Sequence, residues 1–67
     1  MAVGTVKFFN TQKGFGFIRP LDSGPDVFVH ISAVKRAGMP DLIEGQRISY
    51  DVVVERGKNT ASNLQHA

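Results

Sequence analysis

The most consequential absence in the sequence is cysteine, of which there is none. No disulfide can therefore hold the fold together and no thiolate can hold zinc, and we predict neither a metal site nor a cofactor. A chain without disulfides suits a reducing compartment, so we predict a cytoplasmic protein. The sequence also has no apolar run approaching the roughly 18 residues of a membrane helix, and its N-terminus has no signal-peptide pattern. We therefore expect a soluble, intracellular and full-length chain with no membrane segment.

A strong charge bias is missing as well. The 8 Lys and Arg residues and the 6 Asp and Glu residues leave a formal net charge of +2, which is only a weak preference for anionic partners. The length of 67 residues permits one small domain, which we place over residues 1–67. A domain of this size buries only about 60% of the surface of its unfolded chain, so we expect low stability.

Long amphipathic helices are the third absence, because glycine and proline recur throughout the chain. Between them lie short runs rich in Val, Ile and Phe, a pattern typical of an all-β barrel or sandwich. We predict five strands: Val3–Asn10, Phe15–Pro20, Asp26–His30, Gln46–Val54 and Thr60–Gln65. The longest connection runs from Ile31 to Glu44, and we expect one turn of 3₁₀ helix at Ser32–Val34 near its start.

Alternation within the predicted strands separates an aromatic from an aliphatic face. The aromatic side of the second and third strands carries Phe15, Phe17, Arg19, Asp26, Phe28 and His30. The opposite side carries Ile18, Val27, Val29 and Ile31. In the fourth strand polar residues alternate with Ile48, Tyr50, Val52 and Val54. A barrel with the aliphatic side inside leaves three phenylalanines in water, and contiguous exposed apolar surface usually marks a binding site.

The exposed rings lie beside Lys7, Lys13 and Arg19, a combination that suits nucleic acid. Every nucleobase can stack on an aromatic ring, at about 1–3 kcal/mol per base, and the cations neutralise phosphates. Stacking requires splayed bases, so the expected target is single-stranded. Gly14 and Gly16 keep the rings accessible, and Gly14 also relaxes the turn that precedes them.

Three other interpretations stay open at the level of sequence. The phenylalanines form the core if the two faces are inverted, since most phenylalanines are buried. The rings dock a peptide or another subunit if the barrel is a protein-interaction module. An enzyme is the least favoured, and we predict none. Asp26 and His30 would lie about 13 Å apart along a strand, and there is no catalytic constellation or phosphate loop.

A short motif narrows the choice of fold. The string Lys13–Phe17 matches the start of the RNA-binding signature K/R-G-F/Y-G/A-F-V-x-F/Y, with Ile18 in place of Val and Pro20 in place of the last aromatic residue. That signature belongs to a sheet backed by helices, which this chain has no segments to supply. The five-stranded OB-type barrel presents a similar sheet face, so the sequence favours this fold.

From Gly4 to Leu64, nearly its whole length, the chain resembles the bacterial cold-shock proteins, each a stand-alone cold-shock domain. Gly4–Asn10 resembles their first strand, and Lys13–Ile18 and Asp26–Ile31 resemble their two ribonucleoprotein motifs. The resemblance implies a five-stranded antiparallel OB-fold Greek-key barrel. It further implies low-specificity binding of single-stranded RNA and DNA, often pyrimidine-rich, and a role as an RNA chaperone or a regulator of transcription or translation.

Position by position, the resemblance implies nucleic-acid contacts at Lys7, Phe8, Phe15, Phe17, Phe28 and His30. We add neighbouring positions as candidate contacts: Asn10, Lys13, Asp26, Ile31, Met39, Arg56 and Lys58. Strict alternation places Phe8 opposite Lys7. The first strand of the family is irregular at this point, so both side chains are expected to face the ligand.

Departures from the family pattern weaken the expected stacking. The family usually has Trp at the position of Phe8 and Phe at that of Ile31, and often Phe at that of Met39, which we expect to cover a base with its thioether. The loop 56–59 lacks a proline that is common there, and its basic residues are expected to raise the electrostatic share of binding. We expect a monomer with no obligate protein partner, with a strand-swapped dimer as the alternative.

Overall fold

The computed structural model describes residues 2–67, which form five strands and one short helix. The strands are β1 (Ala2–Asn10), β2 (Phe15–Pro20), β3 (Val27–His30), β4 (Arg47–Glu55) and β5 (Lys58–His66), and the helix α1 (Ile31–Arg36) lies between β3 and β4. The strands close into a barrel in the order β1-β2-β3-β5-β4. The predicted five-stranded OB barrel is therefore confirmed, with small shifts at the strand ends.

Four of the five strand pairings around the barrel are antiparallel, and the fifth, between β3 and β5, is parallel. This parallel pairing joins Phe28 to Thr60. After β3 the chain passes through α1 and forms β4, which is not adjacent to β3 in the barrel. β5 then lies between β3 and β4 and pairs with both. The antiparallel expectation thus holds everywhere except at this one pairing.

The barrel interior is aliphatic, as alternation predicts. Its buried hydrophobic residues are Val6, Ile18, Val27, Val29, Val34, Met39, Leu42, Ile48, Tyr50, Ala61 and Leu64. The interpretation with inverted faces is wrong, because the β2 and β3 phenylalanines are absent from this core. Tyr50 is the largest fully buried side chain, and its hydroxyl has no hydrogen-bond partner among residues 2–67. Burial raises the pKa of this hydroxyl, and the charge of Asp22 adds to the rise.

The connection after β3 is more helical than predicted. In place of one 3₁₀ turn at Ser32–Val34, the chain forms a six-residue α-helix. Gly38, with a φ of 78°, follows the helix and donates from its backbone N–H to the carbonyl of Lys35. The N–H of Met39 reaches back to the carbonyl of Val34 (3.1 Å). These two bonds form a Schellman motif, in which the residue after the glycine packs against the last helical turn.

Met39 is the one predicted contact residue that the fold removes from the surface. As the second residue after the helix cap, it turns inward toward Val34 and is only 7% exposed. The expectation that its thioether covers a base is therefore wrong for this structure. A thioether in this position fills the core beside the end of α1 instead.

The β4–β5 hairpin corrects the alternation expected for the fourth strand. Ile48 and Tyr50 point into the core, but Val52 and Val54 are exposed, Val54 to 68%. Among residues 2–67, the last recorded pair between β4 and β1 joins Tyr50 to Ala2, and from Asp51 onward the recorded pairs of β4 are with β5 alone. One edge of β4 is therefore unpaired within the described residues at Val52 and Val54, and both side chains are exposed there.

The tip of the hairpin is a two-residue turn at Arg56 and Gly57, with φ values of 52° and 76°. Two successive positive φ values are typical of a type I′ turn, whose twist matches that of paired strands. A second irregularity lies lower in the hairpin, where Asn63 has a φ of 51° and its amide donates to Asp51 (2.9 Å). Among residues 2–67, no helix is long and apolar enough to cross a membrane.

Candidate nucleic-acid interface

Strand pairing aligns outward-facing rings in a row across the barrel. Phe8 on β1 pairs with Phe17 on β2, and Phe17 pairs with Phe28 on β3. Phe15 lies two residues before Phe17 and therefore shares its side of β2. We call these four residues the aromatic face. Phe8 is 40% exposed and the other three rings are half-buried.

The four rings touch one another, which fixes their orientations. Neighbouring ring centroids are 5.5–6.5 Å apart. Phe15 and Phe28 lie nearly parallel, at 21° and 5.9 Å, whereas Phe17 meets both of them edge-on. Edge-to-face and offset arrangements are those that aromatic pairs prefer. The aromatic face is thus preorganised, with little side-chain freedom left to lose when a ligand binds.

A bulge in β1 brings Lys7 and Phe8 to the same side of the barrel. The pairing with β2 shifts register between Val6 and Phe8, so Lys7 is the extra residue and both side chains after Val6 are exposed. This confirms the expected irregularity of the first strand. Without the bulge, Phe8 would follow Val6 into the core and the aromatic face would lose one ring.

Gly16 has a different role from the one predicted. It is buried, and a Cβ placed on it would lie 2.7 Å from a ring carbon of Phe9 and would meet the backbone oxygen of Phe8. The glycine therefore permits close approach of β1 to β2 rather than access to the neighbouring rings. Gly14 agrees with its predicted role, because its φ of 80° lies in the left-handed region.

Lys7 is held by an ion pair on the edge of the aromatic face. Its Nζ lies 3.0 Å from Oδ2 of Asp26, with both side chains partly exposed. Exposed ion pairs of this kind contribute about 0–1 kcal/mol, so a phosphate can readily replace the carboxylate. The structure thus brings two predicted contact residues together, and in the free protein the charge of each is paired with that of the other.

Asn10 is the last residue of β1, and Lys13 lies in the loop between β1 and β2. Oδ1 of Asn10 accepts from the backbone N–H groups of Gln12 and Lys13, both at 3.0 Å. The N–H of Gly14 donates to the carbonyl of Asn10 (2.8 Å) and closes the loop. Asn10 therefore shapes the loop that carries Lys13, and its side-chain oxygen is already occupied.

His30 and Ile31 form the boundary between β3 and α1. The imidazole Nδ1 of His30 accepts from the backbone N–H of Ser32 (3.1 Å) and caps the helix. The proton of the neutral ring is then on Nε2. The N–H of Ile31 donates to the carbonyl of Gly14 (2.9 Å), and the Ile31 side chain is half-buried. This contact joins the start of α1 to the β1–β2 loop.

Lys58 and Arg56, at the tip of the β4–β5 hairpin, differ in their distance from the aromatic face. Lys58 lines a cleft of about 330 Å³ together with Phe17 and Phe28, and Arg56 at the turn is not part of its lining. Pro25 and Asn59 also line this cleft, and sequence reasoning missed both. Pro25 lies in the loop between β2 and β3, where strand alternation does not apply, and Asn59 lies in β5, one residue before the predicted start of the last strand at Thr60.

The described residues 2–67 contain no cluster of three or more His, Asp and Glu side chains that could hold a metal ion. His30 binds Ser32 and Asp26 binds Lys7, so the two groups weighed for acid–base chemistry are engaged with different partners. What the site offers chemically is stacking surface, cations and hydrogen-bond donors.

Comparison with known proteins agrees with this architecture. Residues 2–67 match the sequence model of the family described as 'Cold-shock' DNA-binding domain. A probable cold shock protein of Sinorhizobium fredii is 63% identical, with 97% of each chain covered. A cold shock protein of Rhizobium meliloti is 58% identical and one of Bacillus subtilis is 49% identical, each with both chains covered in full.

Proposed function

The chain belongs to the family of cold-shock DNA-binding domains, and from that membership we propose that it binds single-stranded RNA and DNA with little sequence specificity. Nucleic-acid binding follows from the family itself. The single-strand preference is our proposal, and the aromatic face is the observation that carries it. Four touching rings lie on the outside of a small barrel, and each is partly open to solvent.

The spacing and exposure of the rings suit unpaired bases. Phe8, Phe17 and Phe28 stand on neighbouring strands, about 5 Å apart in the pairing direction, and each offers part of a ring to solvent. A base in a duplex is stacked on both sides and cannot reach such a surface. A splayed base can stack there whatever its identity, which accounts for low specificity.

Charges around the rim suit a phosphate backbone. Lys13 lies in the β1–β2 loop two residues before Phe15, and Lys58 follows the hairpin turn and lines the cleft beside Phe17 and Phe28. Lys7 on β1 is paired with Asp26. We propose that Lys7 exchanges its carboxylate partner for a phosphate when a strand binds. Affinity is then expected to fall with salt, with a log–log slope of about −0.7 per neutralised phosphate.

The finer biological roles are proposed on the same basis. A monomeric domain that covers bases without ATP would keep RNA unpaired, so we propose an RNA chaperone or a regulator of transcription or translation in the cytoplasm. A pyrimidine preference and the absence of an obligate protein partner belong to the same proposal. Phe8 offers a smaller platform than a tryptophan, so stacking per nucleotide is expected to be weaker than in relatives with an indole there.

Binding is tested with a fluorescently labelled oligothymidine, followed by anisotropy at low salt. Phe15→Ala and Phe28→Ala are each expected to weaken binding by about 1–3 kcal/mol while circular dichroism still reports a folded barrel. Ile43→Ala is the matched control, because it removes an exposed apolar side chain that lies outside the aromatic face. Phenylalanine variants that bind as tightly as the control would refute the proposal. Absence of saturable binding by the wild type would favour a protein partner on these rings.

Chaperone activity has a separate test. The protein is expected to lower the melting temperature of an RNA hairpin with no ATP present, because it binds only the open form. A protein that binds oligothymidine but leaves the hairpin melting temperature unchanged is a single-strand binder without chaperone activity.

A further inference from the structure

Two arginines outside the aromatic face form a second row with Thr5. Thr5 pairs with Arg19 on β2 and with Arg47 on β4, so the three residues are neighbours across three strands. We call them the arginine row. Both arginines are exposed and their sequence neighbours Ile18 and Ile48 are fully buried, which places the guanidinium groups on the outside of the barrel. Two strand spacings separate the two arginines, or about 10 Å.

The arginine row is continuous with the aromatic face. Arg19 lies two residues beyond Phe17 and shares its side of β2, about 7 Å further along the strand. A cleft of about 620 Å³ begins at Arg19 and Thr5 and is also lined by Pro25 and Asp26. The same two loop residues line the cleft beside Phe17 and Phe28. A strand leaving the aromatic face therefore meets this second cleft directly.

Charge favours this exit over the opposite one. Within residues 2–67, neither Arg19 nor Arg47 has a carboxylate partner, and the charge of Asp26 at the entrance is balanced by Lys7 at 3.0 Å. On the other side of Phe28, the larger groove beside β5 is lined by two carboxylates, Asp51 and Glu55, and by one arginine, Arg36. Phosphates approaching that groove meet an excess of negative charge, whereas phosphates approaching the arginine row meet two guanidinium groups that have no carboxylate partner in the described part of the chain.

We propose that a bound single strand continues from the aromatic face past the Lys7–Asp26 ion pair and along the arginine row, where Arg19 and Arg47 bind its phosphates. This subsite rests on the proposed single-strand binding and extends it by a stretch of backbone that the rings do not contact. Exposed Leu21 and Pro25 border the cleft and give an apolar wall for one further base.

Length dependence is the direct test, because only a longer strand can reach the arginine row. We would measure the affinity of labelled oligothymidines of about 4 and about 12 nucleotides, within the range of OB-fold site sizes, across a salt series. The variants are Arg19→Gln and Arg47→Gln. Arg36→Gln at the end of α1 is the control, since it removes the same charge from an exposed helix away from the row.

Each row variant is expected to lose affinity for the longer oligonucleotide by about eightfold at about 50 mM salt, and to reduce its salt slope by about 0.7. The shorter oligonucleotide should bind each row variant as it binds Arg36→Gln. Equal losses for row and control variants at both lengths would overturn the subsite while leaving single-strand binding intact. If the wild type bound neither length, the proposed function would fail and the subsite with it.

Discussion

Replacing Tyr50 by Phe removes one buried oxygen and keeps the ring that fills the barrel. The side chain is fully buried, and nothing in the described part of the chain accepts from or donates to its hydroxyl. An unsatisfied buried polar group costs about 1–3 kcal/mol. Because phenylalanine leaves a small gap where the oxygen was, we expect the lower end of this range, a gain of about 1 kcal/mol in the free energy of unfolding. For a domain of this size, that corresponds to a rise of about 4–8 °C in Tm.

The pH dependence of stability gives the same residue a second signature. Burial, with a contribution from Asp22, raises the pKa of Tyr50 in the folded state. Folding therefore favours the protonated hydroxyl. The contribution of this protonated hydroxyl to the free energy of unfolding is fully present below the pKa of the unfolded tyrosine, about 10. It is lost as pH rises through the higher pKa of Tyr50 in the folded state. Tyr50→Phe lacks this loss, so its advantage over the wild type should widen above about pH 10.

Circular dichroism measures both effects through thermal and denaturant unfolding at neutral and alkaline pH. Tyr50 is the only tyrosine and the chain has no tryptophan, so phenolate absorbance in the wild type reports this group alone. Ile48→Val serves as a control of opposite sign, because loss of a buried methylene should cost about 0.5–1.5 kcal/mol. A Tyr50→Phe protein less stable than the wild type would refute the reasoning, because the Tyr50 hydroxyl of the wild type would then have a hydrogen-bond partner in solution.

Three further substitutions test the interface and its support. Asp26→Asn frees Lys7 and is expected to raise oligothymidine affinity severalfold at low salt, an advantage that high salt abolishes; a loss of affinity would mean that the carboxylate itself contacts the ligand. Asn10→Ala removes the acceptor of two loop N–H groups and should cost about 1 kcal/mol in unfolding free energy and weaken binding, whereas an unchanged denaturation midpoint would contradict the role given to this side chain. Gly16→Ala inserts a Cβ against Phe9 and should destabilise the barrel by about 1–3 kcal/mol in urea unfolding, and a stability equal to the wild type would show that β1 moves away freely.

Alternation predicted the parts of the site that lie on regular strands. The predicted inner and outer sides of β2 and β3 were correct, because each strand pairs on both edges. A one-residue slip in register would put Phe17 into the core in place of Ile18. The same rule failed for Val52 and Val54, since it assumes a core opposite every residue of a strand. Nothing in the local sequence indicates that, within residues 2–67, the recorded pairs of β4 with β1 stop at Tyr50.

Positions that depend on a turn, on a close approach of two strands or on a bulge were the least predictable part of the site. Met39 was placed by resemblance on the surface, whereas the two hydrogen bonds that end α1 direct it inward. Gly38 gave the available signal, because a glycine after a helix predicts a Schellman motif with an apolar residue behind it. The role of Gly16 depended on how closely β1 approaches β2, a distance that sequence patterns do not contain. The irregularity of β1 at Lys7 was predicted from the family resemblance alone.

The parallel pairing of β3 with β5 also determines where the barrel opens most easily. β3 has four residues and pairs with β5 at Phe28 and Thr60, whereas every other seam has at least four paired positions. Local opening follows the seam with the fewest interstrand bonds. Amide protons along this seam should therefore exchange with solvent before those of the β1–β2 hairpin. Since Phe28 belongs to both the seam and the aromatic face, we expect a nucleic-acid strand stacked on that ring to slow the exchange and to stabilise the weakest side of the barrel.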